Sequence, residues 1–592
     1  MEQTVGQVFL KTAKRNASKV AMKHKRSGRW ESISWGQYAM LVSQAARGFI
    51  KLGLQPGGGV SIIGFNSPEW VISDIAAIRA GGVATGIYTT NAPEQCHYVA
   101  EHSGAQIVVV EDDEQLQKFL SIRSRLPELK AIVLMYGEAE HDGVYTWAEL
   151  LAMGDQVDEA ELTRRDEAQK PDDLCTLIYT SGTTGNPKGV MLSHTNLVWI
   201  SGVLAKAVEV TNADRQISYL PLSHVAEQIL TIHAPVATGS QVWFAQSLDT
   251  LGDDLKDVRP TFFLAVPRVW EKIQAKMQAA GAQASPLKKK IGAWAKKQGL
   301  RGARADQRGK PMPLTYKLAD RVVYSKVREA LGLDACRIAI SGAAPISHDT
   351  LEYFASLGIN IMEGYGLSET SAPTTISQPG AWRLGTVGKA LPGTRLKIAS
   401  DGEILIAGPH IFKGYYKNPE ATAETMDGEW FKSGDVGEID ADGYLRITDR
   451  KKELIITAGG KNISPAEIEG ELKTIDVIAQ AVAIGDARKY IGALLTLDPE
   501  LIADEAKACG SSAKTPAEAM NCDKFRRHLQ GQIDRVNSKL AQVQQVKRWV
   551  IIPQEFTIEG GELTPTMKLK RRIVNEKYGA EIESLYQSRA AA

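Results

Sequence analysis

The chain has 592 residues, too many for one core, so two or more domains are expected. Its 43% hydrophobic and 23% charged residues describe a soluble globular protein, and a net charge of +1 gives no general pull toward nucleic acid. Five scattered cysteines without a C-x-x-C pair argue against a disulfide framework or a zinc site and suit a reducing cytosol. The N-terminal stretch MEQTVGQVFLKTAKRN has no apolar core of signal-peptide length. No run approaches the roughly 18–20 apolar residues of a membrane span, so any membrane contact is expected to be peripheral.

Along the chain, VSIIGF (residues 60–65) predicts a strand. Pro68 then opens a helix with Val71, Ile75 and Ile78 at helical spacing. VATGIY, QIVVVE and AIVLMY are further short apolar runs. Strands alternating with helices imply βαβ units and a mostly parallel sheet. LCTLIY (174–179) reads as a buried strand leading into YTSGTTGNPKG (179–189). Glycines there let backbone N–H groups turn inward around a polyphosphate. Ser181, Thr183 and Thr184 add hydroxyl donors, and Lys188 adds a mobile positive charge. The lysine spacing is not that of G-x-x-x-x-G-K-[ST], which disfavours a P-loop NTPase.

Between Lys288 and Lys310 the chain turns strongly basic: Lys288, Lys289, Lys290, Lys296, Lys297, Arg301, Arg304 and Arg308 lie between or at these ends, with Asp306 as the one acid. Leu287, Ile291, Trp294 and Ala295 share a helical face with most lysines opposite. A basic amphipathic helix of this kind suits an anionic membrane surface, or it packs its stripe on the protein. Further on, EIDADGYLRITDR contains two short strands around Asp442-Gly443, a hairpin signal. From about Lys451 a small separate α+β domain is expected.

Four more motifs follow the phosphate loop in chain order: SGAAP (341–345), EGYGLSET (363–370), SGDVGEIDADGYLRITDRKK (433–452) and LTPTMKLKRR (563–572). Each has a plainer reading taken singly. They read as a loop after a strand, a capped helix start, a turn with a surface ion pair, and a solvated basic terminus. Together with the phosphate loop they resemble the adenylate-forming (AMP-binding) superfamily over essentially the whole chain. The resemblance implies an α/β fold with a large N-terminal region of mostly parallel sheets (1–450) and a small mobile α+β C-terminal domain (451–592). It implies nucleotide binding by Thr180, Ser181, Gly182, Thr183, Thr184, Gly185, Lys188, Gly342, Ala343, Gly364, Tyr365, Gly366, Thr370, Asp435, Arg450 and Lys568. Within that set Tyr365 lies against adenine and Asp435 on the ribose hydroxyls, while Thr180, together with Glu369 from outside the set, lies on Mg²⁺. Lys568 bridges carboxylate and α-phosphate, with Glu369, Lys188 and His224 as further catalytic groups. Lys452 marks the hinge and Gly459 the CoA channel.

PLSHVAEQILTIHAPVATGS (221–240) and the basic insert after PRVWEKI resemble the bacterial long-chain fatty acyl-CoA synthetases, although Gln228 stands where these often carry arginine. The implied substrates are a long-chain fatty acid, ATP with Mg²⁺, and CoA. The implied place is the cytosol, with peripheral contact on the inner face of the membrane through 287–310. Left open are a medium-chain or aromatic acid CoA ligase, a fatty acyl-AMP ligase loading a carrier protein, and a non-catalytic nucleotide-binding scaffold.

Overall fold

The computed structural model describes residues 3–180, 186–457, 462–558, 560–564 and 568–587. Its largest sheet has seven strands, in the order Val144–Thr146, Ala131–Leu134, Ala105–Val110, Gly59–Ile63, Val83–Ile87, Leu174–Thr180, Lys188–Ser193. All neighbours are parallel except the last pair. Continuous Val/Ile runs build it because helices cover both faces and leave no solvated side. The expected helix after Pro68 spans Pro68–Arg79, with Ser67 capping the Trp70 N–H. Every one of its residues is buried, with Glu69 paired to Arg26 and Arg79 to Asp166.

A second sheet begins with three parallel strands, Phe262–Ala265, Ile338–Ser341 and Ile361–Leu367, and continues with two antiparallel ones, Ala372–Ile376 and Lys389–Ala390. SGAAP and EGYG therefore leave the same ends of adjacent strands, the usual place for a ligand in a parallel sheet. Trp270 fixes this corner. It is fully buried, meets Phe263 and Phe354 edge-on, and donates Nε1–H to the Ile340 carbonyl at 3.2 Å. The expected hairpin is present as Trp430–Ile439 paired with Leu445–Arg450, with the Asp440 carboxylate accepting from the Asp442 and Tyr444 N–H groups. It belongs to the antiparallel sheet of the large region.

Beyond Lys451 the strands Ile478–Ile484, Ile491–Leu497 and Val546–Ile552 form a sheet of their own. Its two faces carry separate cores: Phe525, Leu529 and Ile533 lie in one, and Val574, Tyr578 and Ile582 in the other. All buried members of both cores come from residue 455 onward. Charges bridge this body to the helix Pro267–Ala282. Arg268 lies 3.9 Å from Asp498 and 3.7 Å from Glu555, and Glu271 lies 3.5 Å from Lys473.

The basic segment forms the helix Pro286–Asp306. It differs from the expected amphipathic stripe in one respect. Ala295 turns inward beneath Tyr324, while Leu287, Ile291 and Trp294 stay exposed. No helix among the described residues is long and apolar enough to cross a membrane.

Trp270→Ala removes both the aromatic packing and the hydrogen bond beside SGAAP. It is expected to cost the large region about 3–5 kcal/mol. Urea unfolding followed by circular dichroism checks this; a loss below about 1 kcal/mol would show that this corner is held by other contacts.

Candidate active site

Strand register creates the first cluster. Asp435 and Arg450 are direct partners across the antiparallel pair, and Arg450 Nε donates to Asp435 Oδ1 at 3.0 Å. The Tyr365 hydroxyl, from the neighbouring sheet, donates to Asp435 Oδ2 at 2.7 Å. Each carboxylate oxygen keeps a further lone pair, enough to accept from a vicinal diol. Burial, and then Asp435, hold the Tyr365 phenol well above its ordinary pKa, so it stays a donor.

After Tyr365 the chain doubles back. A Cβ at Gly366 would collide with the Ala372 carbonyl, and Ser371 and Ala372 both have positive φ, at 53° and 82°. Ala343 in SGAAP is left-handed as well, at 68°. Such strain gathers where a loop is held for a ligand. Thr370 is one of the expected nucleotide-binding residues. It is fully buried and its hydroxyl is taken up by the turn, accepting from the Leu367 N–H and lying 2.9 Å from the Ala372 carbonyl.

Glu369 points the other way. Its Oε1 accepts from the Tyr415 hydroxyl at 2.7 Å, and the ammonium of Lys188 lies 4.7 Å from the centre of the Tyr415 ring. Tyr415 thus ties the expected metal carboxylate to the expected phosphate lysine. Thr180 ends the strand leading to the loop and lines the same cavity. Ser181, Gly182, Thr183, Thr184 and Gly185 lie outside the described residues, as does Gly459.

His224 caps the short helix Val225–Gln228: its Nδ1 accepts from the Ala226 N–H at 3.2 Å, which leaves the proton of the neutral ring on Nε2. Burial, and then nearby Lys568, lower its pKa to about 3. Glu227 beneath it accepts from Ser218 Oγ at 2.6 Å and Thr231 Oγ1 at 2.8 Å, and from Asn66 Nδ2 at 3.3 Å. This clamp sits where the helix passes into a π-turn, Ile229–His233, a distortion common beside functional sites.

Lys568 reaches the site from the C-terminal body. Solvent touches it because it stands in an open cavity, yet both bodies enclose it. That enclosure lowers its pKa, with Arg450 adding repulsion and Asp435 and Glu369 opposing both. One cavity of about 2470 Å³ is lined by Thr180, Lys188, His224, Gly342, Ala343, Gly364, Tyr365, Gly366, Glu369, Asp435, Arg450, Lys452 and Lys568. Tyr415, Glu227 and Glu363 were not among the expected site residues. Glu363 lines the cavity beside Gly364, and burial pushes its carboxyl up to about 8. The glutamate heading EGYG was the available signal for Glu363. Tyr415 gave none, since its role arises from a contact with a residue 46 positions away.

No group of three or more His, Cys, Asp or Glu that could hold a metal exists among the described residues. Glu369 with Thr180 fits Mg²⁺ nonetheless, because this ion takes one or two carboxylates and completes its shell from phosphates and water.

Burial pushes Glu227 up to about 7 from an ordinary 4.5. The folded state therefore holds this proton more tightly than the unfolded chain, and the group's contribution falls as pH rises between those values. Glu227→Gln should flatten the decline of melting temperature across that window; a parallel pair of profiles would show that Glu227 does not titrate there.

The family model described as AMP-binding enzyme matches residues 9–416, and that described as AMP-binding enzyme C-terminal domain matches 452–590. The chain is 44% identical to the long-chain-fatty-acid–CoA ligase ACSBG2 of Xenopus laevis, over 99% of this chain and 84% of that protein. It is 41% identical to the human long-chain-fatty-acid–CoA ligase ACSBG1, over 99% and 85%. In fold it is similar to the anthranilate CoA ligase AuaEII in complex with anthranoyl-AMP. The TM-score is 0.75 at 20% identity, covering 99% of this chain and 98% of that one. The adenylation domain of a carboxylic acid reductase from Segniliparus rugosus gives 0.77 at 20% identity, covering 98% and 94%.

Proposed function

The chain belongs to the AMP-binding enzyme family, and from that premise we propose that it is a long-chain fatty acid–CoA ligase that forms AMP and pyrophosphate. The observation that carries the reading is the convergence of Lys188, His224, Glu369, Asp435 and Lys568 on one cavity from across the chain. The near full-length likeness to long-chain ligases supports the acyl substrate. So do the apolar side chains of Leu204, Ala205, Val208, Leu230, Phe262 and Leu264 among those lining the cavity, which suit an alkyl chain.

In the first half-reaction a fatty acid carboxylate oxygen attacks the α-phosphorus of ATP. The bond to the bridging oxygen breaks, giving acyl-AMP and pyrophosphate. In the second the CoA sulfur attacks the acyl carbonyl, its proton is lost, and AMP leaves with the anhydride oxygen. No protein nucleophile is needed. Asp435 accepts the ribose hydroxyls, and Tyr365 and Arg450 hold its orientation. His224, neutral with Nε2–H as donor, borders the acyl and phosphate positions. Lys568 stabilises negative charge that grows on the phosphoryl oxygens more than it stabilises bound substrate. Glu369 and Thr180 would hold Mg²⁺, which when bound offsets polyphosphate charge. Thr370 acts by holding the turn that aims Glu369. The division at 450/451, the hinge at Lys452 and the CoA channel at Gly459 complete the reading. The enzyme works in the cytosol, with peripheral contact on the inner face of the membrane.

Lys568→Ala is expected to slow acyl-adenylate formation about 10²–10³-fold while leaving thioester formation from supplied acyl-AMP within a few-fold. Normal pyrophosphate release by this variant would remove the role from Lys568. For the function itself, pyrophosphate release is measured with MgATP and a series of carboxylic acids, with CoA or with a holo-carrier protein. Release that peaks with long fatty acids and turns over only with CoA is expected. A peak with short or aromatic acids, or turnover only with the carrier protein, would replace the substrate or acceptor. Bound ATP without carboxylate-dependent release would overturn the ligase.

A further inference from the structure

Twelve large hydrophobic side chains are exposed among the described residues, and six of them fall between 287 and 322. They lie on two packed helices. On Pro286–Asp306 they are Leu287, Ile291 and Trp294. On the helical run 314–331 they are Leu314, Leu318 and Val322, about one turn apart each time. Leu314 is 82% exposed, Leu287 69% and Leu318 55%. The inner sides hold the two helices together. Tyr324 and Ala319 pack on Ala295, the Tyr324 hydroxyl donates to the Ala295 carbonyl at 2.5 Å, and Tyr316 lies against Gly302. The exposed leucines are therefore surplus to the packing that secures the helices.

Charge identifies the occupant. Residues 286–331 carry thirteen lysines and arginines against three acids, a net +10, so the remaining chain is −9 although the total is +1. The acids are largely occupied inside the protein. Asp306 accepts from Trp382 Nε1 at 2.7 Å, and Asp320 pairs with Arg328 at 2.8 Å. Lys288, Lys289, Lys290, Lys317, Arg321 and Lys326 are exposed and have no carboxylate partner within ion-pair distance among the described residues. A second copy of this chain would bring the same positive field, which disfavours self-association through this face. A nucleic acid would meet the cations and leave the leucines in water.

We propose that these two helices form one docking platform for an anionic lipid bilayer, with Leu287, Ile291, Trp294, Leu314, Leu318 and Val322 entering the acyl–headgroup boundary and the cations meeting lipid phosphates. This deepens the peripheral contact in the reading above by adding the second helix, and it stands whether or not the ligase assignment does. An apolar stripe with a basic rim binds by two terms at once. The leucines supply burial that survives salt, and the cations supply attraction that salt screens.

Flotation of the full chain with vesicles tests this, using phosphatidylcholine alone and phosphatidylcholine with about 30% phosphatidylserine. Binding to the mixed vesicles is expected, with little to phosphatidylcholine alone. Leu314→Ser with Leu318→Ser should weaken it about tenfold or more, and Lys288→Glu with Lys289→Glu and Lys290→Glu should do the same. Both variants should keep the parent melting temperature and the parent acyl-CoA synthesis from detergent-dispersed fatty acid, since none of these residues lines the catalytic cavity. No binding to either vesicle, or binding unchanged in the leucine variant, overturns the platform. Binding to a random RNA that is lost in the charge variant but not the leucine variant, without vesicle binding, assigns the patch to polyanions. Dimers in light scattering that the leucine variant abolishes, without vesicle binding, assign it to self-association. Loss of pyrophosphate release in the parent chain with vesicle binding intact would sink the ligase reading and leave the platform standing.

Discussion

The antiparallel pairing of Trp430–Ile439 with Leu445–Arg450 is the constraint on which the site rests. It sets Asp435 opposite Arg450, so that a buried carboxylate receives a guanidinium partner without leaving its strand. An unpaired carboxylate at that depth would be expelled or protonated. The same pairing delivers the chain to Lys451, which binds Asp401 at 2.6 Å and Glu403 at 2.9 Å. The last residues of the large body are thus pinned at the point where the second body begins. One stretch of hairpin fixes both the buried carboxylate and the strand end from which the chain passes to the body that brings Lys568.

Charge in the cavity is arranged for a guest that is itself charged. Lys188, Arg450 and Lys568 line it together with Glu369 and Asp435. Asp435 is satisfied by its own neighbours, and Glu369 has one oxygen on Tyr415. The ammonium of Lys568 is left in an enclosure that disfavours it, with Arg450 repelling it. A polyphosphate entering the cavity relieves that repulsion and gains the attraction of several fixed cations. Interactions of this kind, aimed at charge that appears during reaction, need no rearrangement when it appears. The uncharged imidazole of His224 fits the same logic, since another cation there would deepen the repulsion around Lys568.

The segregation of charge outside the site has a different origin. Near neutrality of the whole chain conceals a basic helical pair and an acidic remainder. Folding keeps that pair together through small residues. Ala295 and Gly302 let Tyr324 and Tyr316 approach. The inner faces are committed to packing, and the outer faces are free to carry leucine and lysine.

Five strands of the seven-stranded sheet and the hairpin at Asp442-Gly443 were legible because local chemistry decides them: apolar runs must be covered, and a tight turn needs its glycine. The order of the motifs was legible too, since each carries its own short pattern of glycine, hydroxyl and charge. The burial of the whole helix Pro68–Arg79 was not, because its charged residues are covered by distant partners, Glu69 by Arg26 and Arg79 by Asp166. Nor was the inward turn of Thr370, which depends on a left-handed backbone at Ser371 and Ala372 that no spacing announces. Tyr415 joined Glu369 to Lys188 only when separate strands met. The stripe at Leu314, Leu318 and Val322 gained meaning only once Tyr324 was seen to consume Ala295. Which chemical groups the protein owns, and the order in which they come, can be read along the chain, because composition and local pattern are properties of neighbours. Which of them share a cavity, which hold a turn, and which are left facing outward is a product of folding. Those outcomes are set by contacts between residues tens to hundreds of positions apart.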